Sequence, residues 1–222
     1  MNRMLVAGLL AVSGAPLALP APAASKVVPT AVADMDIAGV KLGMTSEQVR
    51  AALVRAGFTL RASDPDQESW ERRISDEVAT RRPATRPAIS KVPLFTMASG
   101  LRGEHLEIWY YAGPSGAVAS SVKFQIPAHQ MTKRVFYQGV LDKYGRPSNR
   151  GFGNVMLYCS DGEPIESCVP WSNKLMTYLF AESDDSFHSL YLAEGTEASA
   201  MHKAAFAAEV ERRAPRDARP SF

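Results

Sequence analysis

The side chains that could do chemistry are few and spread along the chain. It has four histidines and two cysteines among 222 residues. The histidines are His105, His129, His188 and His202. Near neighbours in the sequence offer one catalytic triad, made of Asp184, Ser186 and His188. Such close neighbours on one strand alternate between its faces or crowd together, so we expect no triad there and an ordinary structural role for each residue.

Other reactive sites are weakly indicated. Glu104 and Glu107 lie on a predicted strand and point to opposite faces, so they make a poor acid–base pair. Asp184 and Asp185 offer too few oxygen ligands for a calcium loop. The motifs of a serine nucleophile elbow, a zinc protease helix, a phosphate loop and a dinucleotide-binding turn do not occur in the sequence. We therefore predict no catalytic residue, no cofactor and no metal site.

Residues 1–23 have the parts of a cleavable export signal. Arg3 supplies a positive charge, residues 5–19 form an uncharged apolar stretch, and Ala21-Pro22-Ala23 offers the small residues that a signal peptidase reads. Ala31-Val32-Ala33 is a second candidate cleavage site. The apolar stretch is shorter than the ~20 residues that span a bilayer. We expect a mature protein with no transmembrane segment, located in the periplasm or outside the cell.

That compartment decides how Cys159 and Cys168 are interpreted. Two cysteines in an exported chain most simply form a disulfide, and Asp161-Gly162 between them is a turn signal. A zinc site would need two further ligands at recognisable spacing, and a redox pair would need a C-x-x-C motif. We therefore predict a structural disulfide between Cys159 and Cys168.

Composition excludes several classes of protein. Hydrophobic residues make up 46% of the chain, which is enough for a packed core and excludes a disordered chain. The 25 basic and 23 acidic residues leave a formal net charge of +2. Because nucleic-acid binding depends on a basic excess, we expect no nucleic-acid partner.

The spacing of apolar residues predicts an α+β fold made of two related units, with helices packed on antiparallel sheet. Residues 24–35 are predicted to be a flexible arm. Residues 36–127 form the first unit, with two helices followed by strands. Residues 128–213 form the second unit, with a helix, strands and a C-terminal helix. Residues 214–222 are predicted to be a disordered tail.

The helix starts carry the clearest local signals. Thr45 is a good N-cap residue, and Gln48 three positions later completes a capping box. A second helix is predicted over residues 65–81. A third is predicted over residues 130–144, and there Thr132 follows a methionine just as Thr45 does.

Trp109, Tyr110 and Tyr111 follow one another on a predicted strand and place aromatic rings on both of its faces. One face must belong to the core. The other is either an exposed recognition surface or packs against a second layer, such as a neighbouring helix. The sequence leaves both interpretations open, and we treat the three residues as a candidate binding surface.

Residues 40–49 resemble the G-M-T-x-x-Q-V start of the SmpA/OmlA, or BamE-like, outer membrane assembly proteins. The matching positions are Gly43, Met44, Thr45, Gln48, Val49 and Leu53. Tyr144-Gly145-Arg146-Pro147 resembles the L-G-x-P step of the same family. The resemblance implies two helices on an antiparallel sheet and identifies no functional residue. Duplication of such a unit, with a disulfide, is similar to the architecture of the secreted beta-lactamase inhibitor proteins.

These observations favour an exported, non-enzymatic module that binds another envelope or secreted protein. An inhibitor of a secreted or periplasmic hydrolase is a narrower form of this hypothesis. The alternative is an exported hydrolase with an unrecognised active site. It would need a cleft that gathers His105 or His188 with a serine and a carboxylate.

Overall fold

In the computed structural model, which describes residues 31–84, 86–148, 155–159 and 176–215, four α-helices accompany a seven-stranded antiparallel sheet. The helices are α1 (Ser46–Arg55), α2 (Trp70–Arg81), α3 (Lys133–Tyr144) and α4 (Thr196–Arg213). The strands of the large sheet are β1 (Thr59–Asp64), β4 (Phe95–Ser99), β5 (His105–Gly113), β6 (Gly116–Pro127), β7 (Val155–Cys159), β8 (Tyr178–Ser183) and β9 (Phe187–Ala193). β2 (Gln67–Glu68) and β3 (Lys91–Val92) form a separate two-stranded sheet. The predicted α+β class is confirmed.

The large sheet continues across both predicted units. Its strand order is β1-β4-β5-β6-β9-β8-β7, so the last strand of each half lies at the centre. β6 and β9 pair there antiparallel, from Ser121 opposite Ala193 to Pro127 opposite Phe187. Four strands of the large sheet follow α1 and three follow α3, and within each half the strands pair in sequence order. The two halves therefore share one sheet.

One hydrophobic core lies between this sheet and the helices α1 and α3. Val49 and Leu53 of α1 and Phe136 and Val140 of α3 are all buried in it. The sheet contributes buried residues from both halves: Ala98, Leu106, Ile108, Tyr110, Ala119, Val122, Leu179, Ala181 and Leu192. A second, smaller cluster joins α2 to α4.

Both helices that follow a Met-Thr pair are capped by the threonine. The Thr45 side chain accepts a hydrogen bond from the backbone of Gln48, and the Gln48 side chain accepts one from the Thr45 backbone, which completes the capping box. At α3 the Thr132 side chain accepts a hydrogen bond from the Val135 backbone. Backbone N–H groups at a helix start have no acceptor within the helix. These caps provide an acceptor for two of them at α1 and for one at α3.

The second helix begins later than the sequence predicts. Residues 65–69 are not helical: Gln67–Glu68 form β2, and Ser69 caps α2 by accepting a hydrogen bond from the Arg72 backbone at 3.3 Å. The Gln67 side chain donates to the backbone carbonyls of Pro93 and Tyr110. These contacts hold the chain extended up to the serine, which is the real N-cap.

The predicted flexible arm is wrong at its end, because Val32 and Met35 are buried in the core. Val32 is 2% exposed and starts a short 3-10 helix, Val32–Asp34. Just after it, Asp36 accepts hydrogen bonds from the Gly39 backbone at 2.7 Å and from the Lys143 side chain at 2.8 Å. Burial acts to raise the pKa of Asp36, but these two bonds outweigh it and hold that pKa below its usual value. The ion pair therefore stabilises the fold above the unfolded-state pKa and is lost as the pH falls through the lowered one.

The predicted tail also begins one residue too early. Ala214 is buried and packs with Ile74, Val78 and Val210 in the cluster that joins α2 to α4. The Arg81 guanidinium donates to its carbonyl oxygen at 3.3 Å. Residues 216–222 and 24–30 lie outside the described residues.

The turn between Ile37 and Val40 contains a strained alanine. Ala38 has φ of 53° and Gly39 has φ of 80°, as a two-residue type I′ turn requires. Asparagine adopts this left-handed conformation more readily than alanine. We expect Ala38→Asn to raise the free energy of unfolding by about 0.5–1 kcal/mol, measured by urea denaturation. Ala38→Val should lower it, and an asparagine variant no more stable than the parent would contradict this account.

Candidate functional site

The sheet surface that faces away from α1 and α3, here called the second face, carries aromatic and charged side chains among small and aliphatic ones. Strand register aligns one row across all seven strands: Ala62, Met97, Glu107, Lys123, Tyr191, Phe180 and Leu157. The adjacent row contains Phe95, Trp109, Ser121, Ala193, Tyr178 and Cys159. Residues from both halves of the chain therefore form one surface.

Trp109 is the most exposed aromatic residue of the second face. Its side chain is 44% exposed, although it stands on a central strand of the sheet. Its ring centroid lies 5.5 Å from that of Phe95 on the neighbouring strand, at an angle of 43°. The Ser120 hydroxyl donates to the Trp109 carbonyl at 3.2 Å, beside an irregularity in the β5–β6 register. A bulge of this kind redirects side chains locally.

Tyr110, which the sequence placed in the candidate binding surface, does not belong to it. It points to the helix side of the sheet and is only 4% exposed. Its hydroxyl bonds to that of Thr96 at 3.1 Å, and burial raises the pKa of Tyr110. Alternation along the strand explains the error, because its two neighbours must then occupy the second face.

Tyr111 packs against a second layer, which is one of the two interpretations that the sequence left open. Its ring stacks on that of His202 from α4, with centroids 3.7 Å apart. His202 Nε2 in turn lies 3.0 Å from Glu194 Oε2. Desolvation by this cover raises the pKa of Tyr111. The second face is therefore flanked by α4 at Tyr111 and accessible at Trp109.

No family model, curated protein or solved structure matches this chain. The resemblance of residues 40–49 to the BamE-like proteins therefore stays a prediction. The residues that carry it, Thr45 and Gln48 above all, cap α1. Of the helices in the described ranges, none combines the length and the apolar character that crossing a bilayer requires.

Two of the predicted features fall on residues outside those that the structure describes. The first feature is the predicted export signal, residues 1–23. The second is the predicted disulfide, which stays a prediction because Cys168 is not among the described residues. Cys159 is buried at the end of β7, and its backbone nitrogen donates to the Ser148 hydroxyl at 3.0 Å.

The histidines do not form a cluster, since each has different neighbours. His105 Nε2 lies 3.4 Å from Glu107 on the second face. His129 contacts Gln130, and His202 contacts Glu194 and Tyr111. Within the described ranges, no group of three histidine, cysteine, aspartate or glutamate side chains could hold a metal ion.

His188 bonds to Ser183 rather than to Ser186. Its Nδ1 lies 2.7 Å from the Ser183 hydroxyl, and its Nε2 lies 2.8 Å from the Met131 carbonyl. A carbonyl only accepts, so Nε2 carries the proton and Nδ1 accepts from the serine. Asp184 Oδ1 accepts from the backbones of Ser186 and Phe187. The sequence missed Ser183 because its pairing with His188 depends on the length of the β8–β9 turn.

This pair could in principle activate a serine, and it lines a cavity of about 300 Å³ that Asp184 and Asp185 also line. However, Ser183 and His188 are both buried, and the histidine ring stacks on Phe136 at 5.0 Å. No carboxylate among the described residues bonds to its second nitrogen, as a triad would require. The geometry fits a structural link between the β8–β9 hairpin and the start of α3.

A structural role predicts how Ser183→Ala behaves. Removing the hydroxyl leaves Nδ1 of a buried histidine without a donor, so we expect a loss of about 1–3 kcal/mol in the free energy of unfolding, measured by urea denaturation. Ser186→Ala is the matched control and should change it by less than about 0.5 kcal/mol. The intact protein should resist a serine-reactive fluorophosphonate, and covalent labelling of Ser183 would instead support the hydrolase hypothesis.

Proposed function

We propose that this chain is an exported, non-enzymatic protein-binding module that contacts its partner through the second face. Trp109 is the observation that carries the proposal. A tryptophan that is 44% exposed on a central strand gains little for folding, but tryptophan is among the residues that contribute most to binding protein partners. A rigid sheet also holds its ring in place before binding, which lowers the entropic cost of association.

The surroundings of Trp109 fit a protein partner. Glu107 and Lys123 lie opposite each other on β5 and β6, so the surface has both signs of charge beside its aromatic rings. Around Trp109 the second face is accessible, whereas its residues Leu157, Tyr178 and Ala193 are buried. The near-neutral net charge of +2 gives no electrostatic reason for nucleic acid to bind.

The proposed compartment follows from residues 1–23, which have the pattern of a cleavable export signal. The partner would then be another envelope or secreted protein. A secreted or periplasmic hydrolase inhibited by this chain is the narrower form of the proposal, in which the second face would cover the hydrolase.

Photo-crosslinking tests the second face directly. We expect p-benzoylphenylalanine in place of Trp109 to give one discrete protein adduct in intact cells, because the ring lies in the interface. The same probe in place of Val54, which is 62% exposed on α1, is the matched control and should not give it. Purified wild-type protein should compete the adduct away, and Trp109→Ala protein should compete at least about tenfold less well. No adduct, or the same adduct from both positions, would overturn the proposal.

The proposed disulfide has a separate test. Closing the short loop between Cys159 and Cys168 is worth on the order of 2–3 kcal/mol in the chain-entropy model. We expect the exported protein, denatured without reductant, to resist alkylation at both cysteines, and to take up two alkyl groups after reduction, as measured by mass spectrometry. Alkylation of both cysteines before reduction would contradict the disulfide.

A further inference from the structure

The turn between β4 and β5, residues 100–104, carries an almost fully exposed leucine. Leu101 is 98% exposed, more than any other large hydrophobic residue in the described part of the chain. Single apolar residues on a surface are common, so exposure alone indicates nothing. The turn around Leu101, however, is held by interactions that are typical of a protein interior.

A buried carboxylate fixes this turn. Glu104 is only 7% exposed, and it accepts hydrogen bonds from the Arg102 backbone at 2.8 Å and from Arg102 Nε at 3.0 Å. The Gly100 N–H donates to the Glu104 carbonyl at 2.9 Å. Burial acts to raise the pKa of Glu104, but hydrogen bonds from the backbones of Arg102 and Glu104 and from the Arg102 side chain outweigh it and hold that pKa below its usual value. Glu104 therefore binds the residues on both sides of Leu101.

Two glycines of the turn cannot be replaced without disturbing it. A Cβ on Gly100 would lie 2.4 Å from Glu104 Oε2, and that oxygen could move away only by giving up its bond to the Arg102 backbone. Gly103 has φ of 76°, in the left-handed region that favours glycine. Because burying a carboxylate and ordering glycine both cost free energy, this turn is more than a default connection between two strands. It holds Leu101 in one position while leaving its side chain in water.

Another exposed apolar side chain lies at the same end of the sheet. Pro127 of β6 pairs with Phe187 of β9, and alternation along both strands places their side chains on the same side as Trp109. Phe187 is 41% exposed. A Cβ on Gly103 would lie 3.6 Å from the Pro127 ring, so the β4–β5 turn is adjacent to this pair. Leu101, Pro127 and Phe187 are here called the end group.

The end group has charged neighbours of both signs. Those whose contacts place them there are the basic Arg61, Arg102 and Lys133 and the acidic Glu104, Asp184 and Asp185. Their charges cancel, so they provide no attraction to an anionic bilayer, and an apolar area this small binds lipid stably only with such attraction. An apolar centre with a rim of mixed charge is instead the usual composition of a protein–protein interface.

We propose that the end group is a second contact area for a protein partner, and that Leu101 inserts into an apolar pocket of that protein. The proposal rests on the proposed function, because the partner is the one that contacts Trp109. Ala193 lies in the row of Trp109 and six positions from Phe187, so about 20 Å along the strands separates the end group from Trp109. An interface of ordinary size, about 800 Å² on each partner, can include both. A rigid turn also loses little entropy when its tip is buried.

Photo-crosslinking from the turn tests this contact separately from Trp109. We expect p-benzoylphenylalanine in place of Leu101 to form an adduct in intact cells with the same protein that the probe at position 109 captures, and mass spectrometry should place the link on apolar residues of that protein. The matched control is the probe in place of Ile89, which is 71% exposed outside the large sheet and should give no adduct with that protein.

The outcomes distinguish this inference from the proposed function. An adduct at position 109 with none at position 101 would overturn the inference alone. A discrete protein adduct at position 101 with none at position 109 would overturn the proposed role of Trp109 and support the contact by the turn. Adducts at position 101 with lipid, or with a protein other than the one captured at position 109, would also overturn the inference.

Competition by purified variants separates the leucine from the turn that holds it. Leu101→Ser should compete for the adducts about tenfold less well than wild type, since it removes an apolar side chain from the interface. Leu101→Met should compete about as well as wild type, and Gly100→Ala, which keeps the leucine but displaces the carboxylate, should compete less well. Ile89→Ser is the matched control and should stay within about twofold of wild type.

Folding does not confuse this comparison. Because Leu101 is 98% exposed, Leu101→Ser should leave the midpoint of urea denaturation unchanged. If Leu101→Ser competed as well as wild type, the leucine would not be in the interface and the inference would be wrong.

Discussion

The antiparallel pairing of β6 with β9 is the interaction on which the rest of this structure depends. It joins seven residue pairs whose members are 60 to 72 positions apart in the chain. Without it, two short sheets would each expose an unpaired edge, and such edges attract other strands. With it, α1 and α3 cover one sheet and share one core that contains Leu106 from the first half and Leu192 from the second.

The same pairing makes the second face a single surface. Lys123 on β6 lies directly opposite Tyr191 on β9, so the row that begins in the first half continues without a break into the second. The two sides of the sheet then differ in character: one carries helices, and the other carries aromatic rings with α4 at its margin. Between α1 and the edge strand β1 lies a cavity of about 320 Å³, which Arg50 and Ala62 both line.

Local chemistry decided what could be predicted from the sequence. The Thr45 cap depends only on neighbours in the chain, so the sequence could predict it. β1 has a mostly polar sequence and becomes a strand only through its pairing with β4, which no local pattern reveals. The candidate site could be predicted only in part, because some of its contacts join residues far apart in the chain. The aromatic run identified Trp109, whereas the cover of Tyr111 by His202 and the bond from Ser183 to His188 depend on contacts across the fold.

The anchoring of residues 32–40 also bears on the proposed cleavage of the export signal. Lys143 binds Asp36 from 107 positions away, and the Tyr144 hydroxyl donates to the Asp36 carbonyl at 2.6 Å, so the N-terminal segment closes against α3. If the proposed export signal is cleaved, a cut after Ala33 would remove Val32 from the core, whereas a cut after Ala23 would keep it. The packing of Val32 therefore favours the earlier of the two predicted cleavage sites.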